Sequence, residues 1–125
     1  MPLVQVNTDG SAERKGPGGA ILREAGFDVR EVEDGAFVLG AKSDREAIEL
    51  LAGASAVIAM GERYSAEVIG SLPELRVIAR HGVGYDKVDV EAATAAGVVL
   101  TVTPTANHEA VAEHTMALIL ATAKS

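Results

Sequence analysis

Apolar residues recur along the chain with two spacings, which mark strands and helices in alternation. Short apolar runs bounded by turn residues predict five strands, at residues 3–6, 27–32, 56–60, 77–79 and 98–102. Apolar residues at helical spacing predict helices at residues 20–25, behind Ser43, at 65–71, at 89–96 and in a last stretch ending near residue 123. The predicted order is therefore βαβαβαβαβα.

The starts of these helices carry residues that cap free backbone amides. Ser43 followed by Glu46 has the spacing of a capping box. The other candidate N-caps are Ser65, Asp89 and, for the last helix, either Thr105 or Asn107.

Strands that alternate with helices predict a parallel α/β sheet with helices on both faces. Five strands in this pattern favour a flavodoxin-like, doubly wound sheet of order 2-1-3-4-5, formed by residues 1–125 as a single domain. Ligands of such sheets bind beyond the carboxyl ends of the strands. We therefore expect the functional residues at positions 8–9, 61–63, 81–84 and 103–107.

Composition narrows the function classes further. The chain has 125 residues, of which 48% are hydrophobic and 3% aromatic, and this suits one domain with an aliphatic core. A net charge of −7 argues against nucleic acid as a partner. The absence of cysteine excludes disulfides and thiolate chemistry and is consistent with a cytoplasmic protein. We see no apolar run long enough for a membrane span, no signal peptide and no metal-ligand spacing.

The segment 80–89, RHGVGYDKVD, carries the strongest chemical signal. Its two glycines allow a sharp turn that presents backbone N–H groups to an anion. Arg76, Arg80 and His81 are close in sequence, and Arg63 is expected from the neighbouring strand end. These positive groups in an acidic chain indicate a small carboxylate ligand. The alternative is a structural turn surrounded by solvated arginines.

This turn also shares part of the dinucleotide-binding pattern G-x-G-x-x-G. Gly82 and Gly84 match, but Lys87 occupies the third glycine position, and no acidic residue ends the strand that follows. We therefore predict that this loop binds no NAD and that the chain itself holds no cofactor.

A longer match lies in residues 75–120, LRVIARHGVGYDKVDVEAATAAGVVLTVTPTANHEAVAEHTMALIL. This segment resembles the D-2-hydroxyacid dehydrogenase family, especially its phosphoglycerate dehydrogenase-like branch, and the likeness extends more loosely back to residue 1. The residues that carry it are Gly82, Gly84, Asp86, Asp89, Gly97, Asn107 and the Val-Ala-Glu-His-Thr run at 111–115.

The resemblance implies a substrate-binding, or lid, domain. The backbone amides of Val83 and Gly84 would hold the carboxylate of a 2-hydroxy or 2-keto acid, and the loop from Gly61 to Arg63 would line the same crevice. Asn107 would contact the substrate. Thr115 would touch the pyrophosphate of the NAD or NADP that the parent enzyme uses, and His81, from its position, could support the anion.

The family's catalytic Arg, Glu and His belong to a nucleotide-binding domain that we expect beyond residue 125. The chain is thus predicted to be a truncated domain that binds its acid weakly and does not catalyse. The run MALILATA at 116–123 agrees, because a helix that is apolar on every face needs cover on every side. We expect it to self-associate as a homodimer through residues 108–123, with the helix either folded back or swapped.

A free-standing flavodoxin-like ligand-binding or signalling module is the alternative. A receiver module would need Asp at the end of the third strand and usually Lys at the end of the fifth, where the chain has Met60-Gly61 and Val102-Thr103. A flavodoxin would need a hydroxyl-rich phosphate loop at residues 7–16, which are instead rich in charge.

Overall fold

The computed structural model describes residues 1–10 and 16–124, so the central part of the 7–16 loop, residues 11–15, lies outside the described residues. Five parallel strands form one sheet of order β2-β1-β3-β4-β5, as predicted. The strands are β1 (Leu3–Thr8), β2 (Asp28–Glu33), β3 (Ala56–Ala59), β4 (Val77–Arg80) and β5 (Val99–Thr101). The helices are α1 (Gly18–Glu24), α2 (Gly35–Val38), α3 (Asp44–Leu51), α4 (Ala66–Gly70), α5 (Val90–Ala95) and α6 (His108–Ala123).

Local capping signals explain where three of the predicted helices begin. Ser43 accepts a hydrogen bond from the Glu46 amide, and the Glu46 carboxylate accepts one from the Ser43 amide, so the predicted capping box is confirmed. The Ser43 amide and hydroxyl both donate to the Glu46 carboxylate and so lower the pKa of Glu46. Ser65 and Asp89 cap α4 and α5 in the same way, through their side-chain oxygens.

The pattern of the sequence did not predict the short helix α2. Asp34 caps it by accepting a hydrogen bond from the Phe37 amide. Four residues are too few to show a helical period, and α2 is held because Phe37 and Val38 are buried in the core.

Helices α2 to α5 lie on one face of the sheet, which we call the covered face. Its strand residues Val57, Ala59 and Ile78 join a core that also holds Phe37 and Leu51, and all five are at most 1% exposed. This core supports the strand ends on which the predicted site depends.

The opposite face, which we call the open face, is covered at one side only. Gly18 of α1 lies against Ile58, so α1 packs on this face near β1 and β2. In the row Val4–Ala56–Val77–Val99, which runs across β1, β3, β4 and β5, exposure rises from 5% at Val4 to 56% at Val99. Helices are thus present on both faces, but the described residues leave β4 and β5 uncovered here.

Helix α6 projects away from the sheet. It is the element that follows β5 along the chain, yet none of its residues is buried. Leu118, Ile119 and Leu120 are each more than half exposed. We expect this helix to be covered on every side, but the described residues of the chain do not cover it. Among those residues, no helix is both long and apolar enough to cross a membrane.

Candidate functional site

The loops after β3 and β4 are tied together at the carboxyl edge of the sheet. The Tyr64 amide donates to the Lys87 carbonyl, and the Asp89 amide donates to the Tyr64 carbonyl, each at 2.9 Å. Lys87 Nζ also donates to the Gly61 carbonyl at 2.9 Å and to the Leu39 carbonyl at 3.1 Å. Residues 60–65 and 81–89, here called the paired loops, therefore behave as one structural unit.

Gly61 has a packing role that the sequence did not reveal. A Cβ added there would lie 2.6 Å from the Val38 carbonyl oxygen, closer than any side chain could approach. Its carbonyl accepts from Lys87, so Gly61 joins α2 to the paired loops. Because glycine has no side chain, Gly61 can offer only its backbone to a ligand in the predicted crevice.

The Gly82-Val83-Gly84 turn presents backbone donors to solvent. Within the described residues, the amides of all three donate no hydrogen bond. The start of the turn is fixed, because the His81 amide donates to the Ala59 carbonyl at 2.7 Å and the Thr103 amide to the Gly82 carbonyl at 2.9 Å, and just after its end the Tyr85 carbonyl accepts from the Val88 amide at 3.0 Å. A fixed turn with unpaired N–H groups is suited to binding an anion.

The three arginines and the histidine that the sequence suggested for this site have different surroundings. Arg63 is exposed and has no hydrogen bond or ion pair within the part of the chain that is described. Arg80 is engaged locally, with Nη1 donating to the His81 carbonyl at 3.1 Å and lying against Gly82. Arg76 precedes β4 and donates to carbonyls at the opposite edge of the sheet, so it is not part of this site. Arg63 and the exposed His81 remain available to an anion.

Asn107 and Thr115 are both exposed and lie on or beside α6. Asn107 occupies the N-cap position of α6, but its side chain makes no capping hydrogen bond, and His108 Nδ1 instead pairs with the Thr105 carbonyl at 2.7 Å. The Thr115 hydroxyl donates to the Val111 carbonyl at 2.7 Å. No hydrogen bond within residues 1–10 and 16–124 joins Asn107 or Thr115 to the paired loops, so their predicted contacts stay predictions.

A cavity of about 390 Å³ lies beside the paired loops rather than within them. It opens between β1 and β3, where the strand order reverses, and this is the usual ligand position in doubly wound sheets. Thr8, Met60, Arg23, Glu31 and His81 are among its lining residues. Of the positions predicted to carry function, Thr8 and His81 contribute to it, whereas Gly61, Arg63 and the Gly82–Gly84 turn do not.

Sequence reasoning missed a buried polar cluster beneath the paired loops. Glu62 is 2% exposed and accepts hydrogen bonds from Asn7 Nδ2 at 2.6 Å and from Tyr64 Oη at 2.8 Å. Burial and the adjacent Glu62 carboxylate raise the pKa of Tyr64 well above its ordinary value. The signal that could have revealed this cluster is the pair Gln5 and Asn7, which alternate with apolar residues in β1 and so face one side of the sheet.

The paired loops do not fit a dinucleotide. A pyrophosphate bound by such a loop would use the free amides at the start of the next helix. At the start of α5 the Ala92 amide already donates to the Asp89 carboxylate, at 2.9 Å, and that carboxylate would repel a phosphate. In the described ranges, no three His, Asp or Glu side chains are grouped so that they could hold a metal ion.

Comparison with known proteins gives a consistent result. A family model described as D-isomer specific 2-hydroxyacid dehydrogenase, catalytic domain, matches residues 17–125. A D-3-phosphoglycerate dehydrogenase of Mycobacterium leprae (strain TN) is 51% identical over 59 residues, which cover 47% of this chain and 11% of that protein. A glyoxylate reductase of Pyrococcus furiosus is 46% identical over 68 residues, 54% of this chain and 20% of that protein.

The fold is also shared with solved structures. The 3-phosphoglycerate dehydrogenase of Entamoeba histolytica, crystallised with NAD+ bound, superposes with a TM-score of 0.78 at 26% identity. The likeness covers 95% of this chain and 38% of that one. The chain thus spans well under half the length of each of these three proteins.

Proposed function

The chain belongs to the D-isomer specific 2-hydroxyacid dehydrogenase family, and on that premise we propose that it forms the part of such an enzyme that holds the substrate carboxylate. This membership confirms the resemblance predicted from residues 75–120. The substrate would be a small 2-hydroxy or 2-keto acid, and the parent reaction hydride transfer at its C2 atom, with NAD or NADP as the hydride carrier.

The Gly82-Val83-Gly84 turn is the observation that carries this proposal. The bonds of the His81 amide and the Gly82 carbonyl anchor the start of the turn, so an incoming carboxylate meets donors whose backbone is already attached to the sheet. Arg63 adds positive charge, His81 offers an exposed imidazole, Gly61 forms the neighbouring backbone, and Asn107 follows the Thr103 anchor along the chain. A few exposed hydrogen bonds to one carboxylate give an affinity in the mM range, on the order of 4 kcal/mol.

A titration with glyoxylate or pyruvate, followed by amide chemical shifts, tests this site. We expect shifts centred on residues 61–63 and 81–85. Val83→Pro removes one unpaired donor without breaking any hydrogen bond of the fold and is expected to weaken binding, whereas Val83→Ala keeps the N–H and serves as its control. Shifts centred elsewhere would contradict the proposal.

We further propose that the chain alone does not turn over substrate. Orientation and acid–base catalysis each contribute several orders of magnitude to such reactions, and the paired loops have no histidine held by a carboxylate within the described residues. NADH absorbance should stay constant with glyoxylate, pyruvate or hydroxypyruvate. A loss of absorbance that scales with protein concentration would refute this.

A second candidate, a flavodoxin-like ligand-binding module, is favoured only by the cavity between β1 and β3. Its described lining contains no Phe, Tyr or Trp side chain to stack on a flavin. Purified protein that shows no flavin absorbance, and binds no flavin when it is added, removes this candidate.

We also propose a homodimer formed through His108–Ala123. Val111 and Leu118 lie on one side of α6, and the Thr115 and Thr122 hydroxyls on that side donate to carbonyls of the helix itself. Burying this side therefore leaves no hydroxyl unsatisfied. The helix could pair with its copy, or cross onto the partner's open face, and both arrangements need α6.

Light scattering over a range of micromolar concentrations tests the dimer. Leu118→Asp, at a position 56% exposed, should give a monomer, while Leu39→Asp, at a position 73% exposed and outside α6, should leave the dimer intact. A monomer mass for the unaltered chain at every concentration would rule the dimer out.

A further inference from the structure

The carboxylate of Glu62 is buried beneath the loop after β3, which is one of the two paired loops. Besides Asn7 and Tyr64, its third donor is the Met60 amide, which bonds to Oε2 at 3.0 Å. Within the described part of the chain it forms no ion pair. A buried carboxylate without a cation is costly unless its oxygens are hydrogen-bonded, so these three bonds determine where it sits.

The bonds continue from Glu62 across the sheet to its edge. Asn7 Oδ1 accepts from Gln5 Nε2 at 2.7 Å, and Gln5 Oε1 accepts from Arg30 Nε at 2.8 Å. Arg30 in turn donates to the Ala52 carbonyl at 3.0 Å. Because Gln5 and Asn7 are buried side chains of β1, the Glu62 carboxylate is anchored to the strands and not only to its own loop.

Lys87 holds the same loop from the solvent side. Its Nζ bonds to the Gly61 carbonyl, one residue after the Met60 amide that bonds to Glu62. The Met60 N–H thus donates to the Glu62 carboxylate, and the next carbonyl, that of Gly61, accepts from the Lys87 ammonium group. Charge-assisted bonds are stronger than neutral ones, so this short stretch of loop is fixed at two points.

From this geometry we infer that Glu62 and Lys87 are positioning residues, which hold the loop from Met60 to Tyr64 in register with the Gly82–Gly84 turn so that both face one carboxylate. The inference rests on the proposed function. Neither side chain needs to touch the substrate. Glu62 acts through the Met60 amide and Lys87 through the Gly61 carbonyl.

Glu62→Gln is the first test, with glyoxylate as the probe. The glutamine has one acceptor oxygen where the carboxylate has two, so it cannot satisfy both Met60 and the pair Asn7 and Tyr64. We expect the Kd for glyoxylate to rise by about five- to tenfold, a loss typical of a slightly misplaced site. Leu51→Ala, in the core and outside the paired loops, is the control, because it lowers stability without altering the loop.

Tyrosinate absorbance supplies a second readout, taken at pH values where both Glu62→Gln and the Leu51→Ala control remain folded. The charge and hydrogen bond of Glu62 both raise the pKa of Tyr64. Glu62→Gln should therefore lower the pH at which Tyr64 ionises in the folded protein, and the chain has only one other tyrosine and no tryptophan to obscure this signal.

Lys87→Met is the second variant and keeps the inference testable if Glu62→Gln does not fold. Lys87 is exposed, so folding should survive its loss, and the Kd should rise by about fivefold. Lys124→Met removes the same charge from the end of α6 and should leave the Kd unchanged.

Equal affinity in the unaltered chain and in both loop variants would overturn the inference, as would an equal loss in Leu51→Ala. Absence of any glyoxylate-dependent shift in the unaltered chain would instead overturn the proposed function, so the two failures are distinguishable.

Discussion

The two faces of the sheet are made by the same strands, yet they are covered very differently. On the covered face Val57 and Ile78 are at most 1% exposed, beneath α2 to α5. On the open face Val77 is half-buried, and Val99 is 56% exposed. The apolar residues of β4 and β5 are suited to burial on both sides, as in parallel sheets generally. The apolar residues of a strand therefore indicate that a sheet face should be covered, but they do not indicate which segment covers it.

The helices differ in the same way. All four helices on the covered face start at a residue whose side chain accepts a backbone hydrogen bond, at Asp34, Ser43, Ser65 and Asp89. Neither α1, which begins after Pro17, nor α6, which begins after Asn107, has such a bond. On the covered face local and tertiary signals agree, whereas α6 has neither a side-chain cap nor buried residues.

The largest predicted effect contrasts the two faces directly. Leu51→Ala, at a side chain with no exposed surface, should lower the free energy of unfolding by about 2–5 kcal/mol. Val99→Ala on the open face should lower it by less than about 1 kcal/mol. Urea denaturation measures both, and similar losses would mean that the open face is covered in solution, for example by α6 of a second copy.

The next effect concerns the tyrosine buried on the covered side. Because the pKa of Tyr64 is raised in the folded protein, only the unfolded chain loses this proton just above pH 10, its ordinary value. The stability that Tyr64 confers is complete below that pH and declines as pH rises, by about 1.4 kcal/mol per pH unit. Unfolding measured between about pH 9 and pH 11 should show this slope. Tyr64→Phe should remove it, and a slope that persists in the variant would assign it to other groups.

The smallest effect compares a capped helix with an uncapped one. Ser43→Ala removes both bonds that the Ser43 side chain makes in its capping box and should cost about 1 kcal/mol. Asn107→Ala removes no capping hydrogen bond and should change stability by less than about 0.5 kcal/mol. Thermal or urea unfolding is sensitive enough for the first. A comparable loss from the second would show that Asn107 caps α6 in solution.

Much of the fold follows from local physical chemistry. The sequence could predict the strand positions, the order of the strands along the chain and the caps at Ser43, Ser65 and Asp89. Each of these depends on a few neighbouring residues. The Gly82–Gly84 turn could be identified for the same reason, since its glycines stand between a buried strand and a capped helix. The predicted strand ends differ from the observed ones by at most two residues, the largest difference being β1, which continues through Thr8 by pairing with β2.

The remaining features depend on residues that are distant in sequence. Glu62 lies between Gly61 and Arg63 in what looks like a solvated loop, and only the approach of Asn7, 55 residues away, makes it a buried anchor. Gly61 has its packing role because Val38 meets its backbone, and Arg80 is engaged because it turns back onto Gly82.

The sequence by itself determined the strands, the helices other than α2, their order along the chain and the turn that can bind an anion, because hydrogen-bond caps, glycine turns and apolar periodicity act over a few residues. Only the tertiary structure decided that the Glu62 carboxylate is buried against Asn7 of β1, that the open face lacks cover at β4 and β5, and that α6 points away from the sheet. These outcomes depend on which surfaces meet. The hydrophobic effect is non-directional, so an apolar helix or strand face does not specify which surface will cover it.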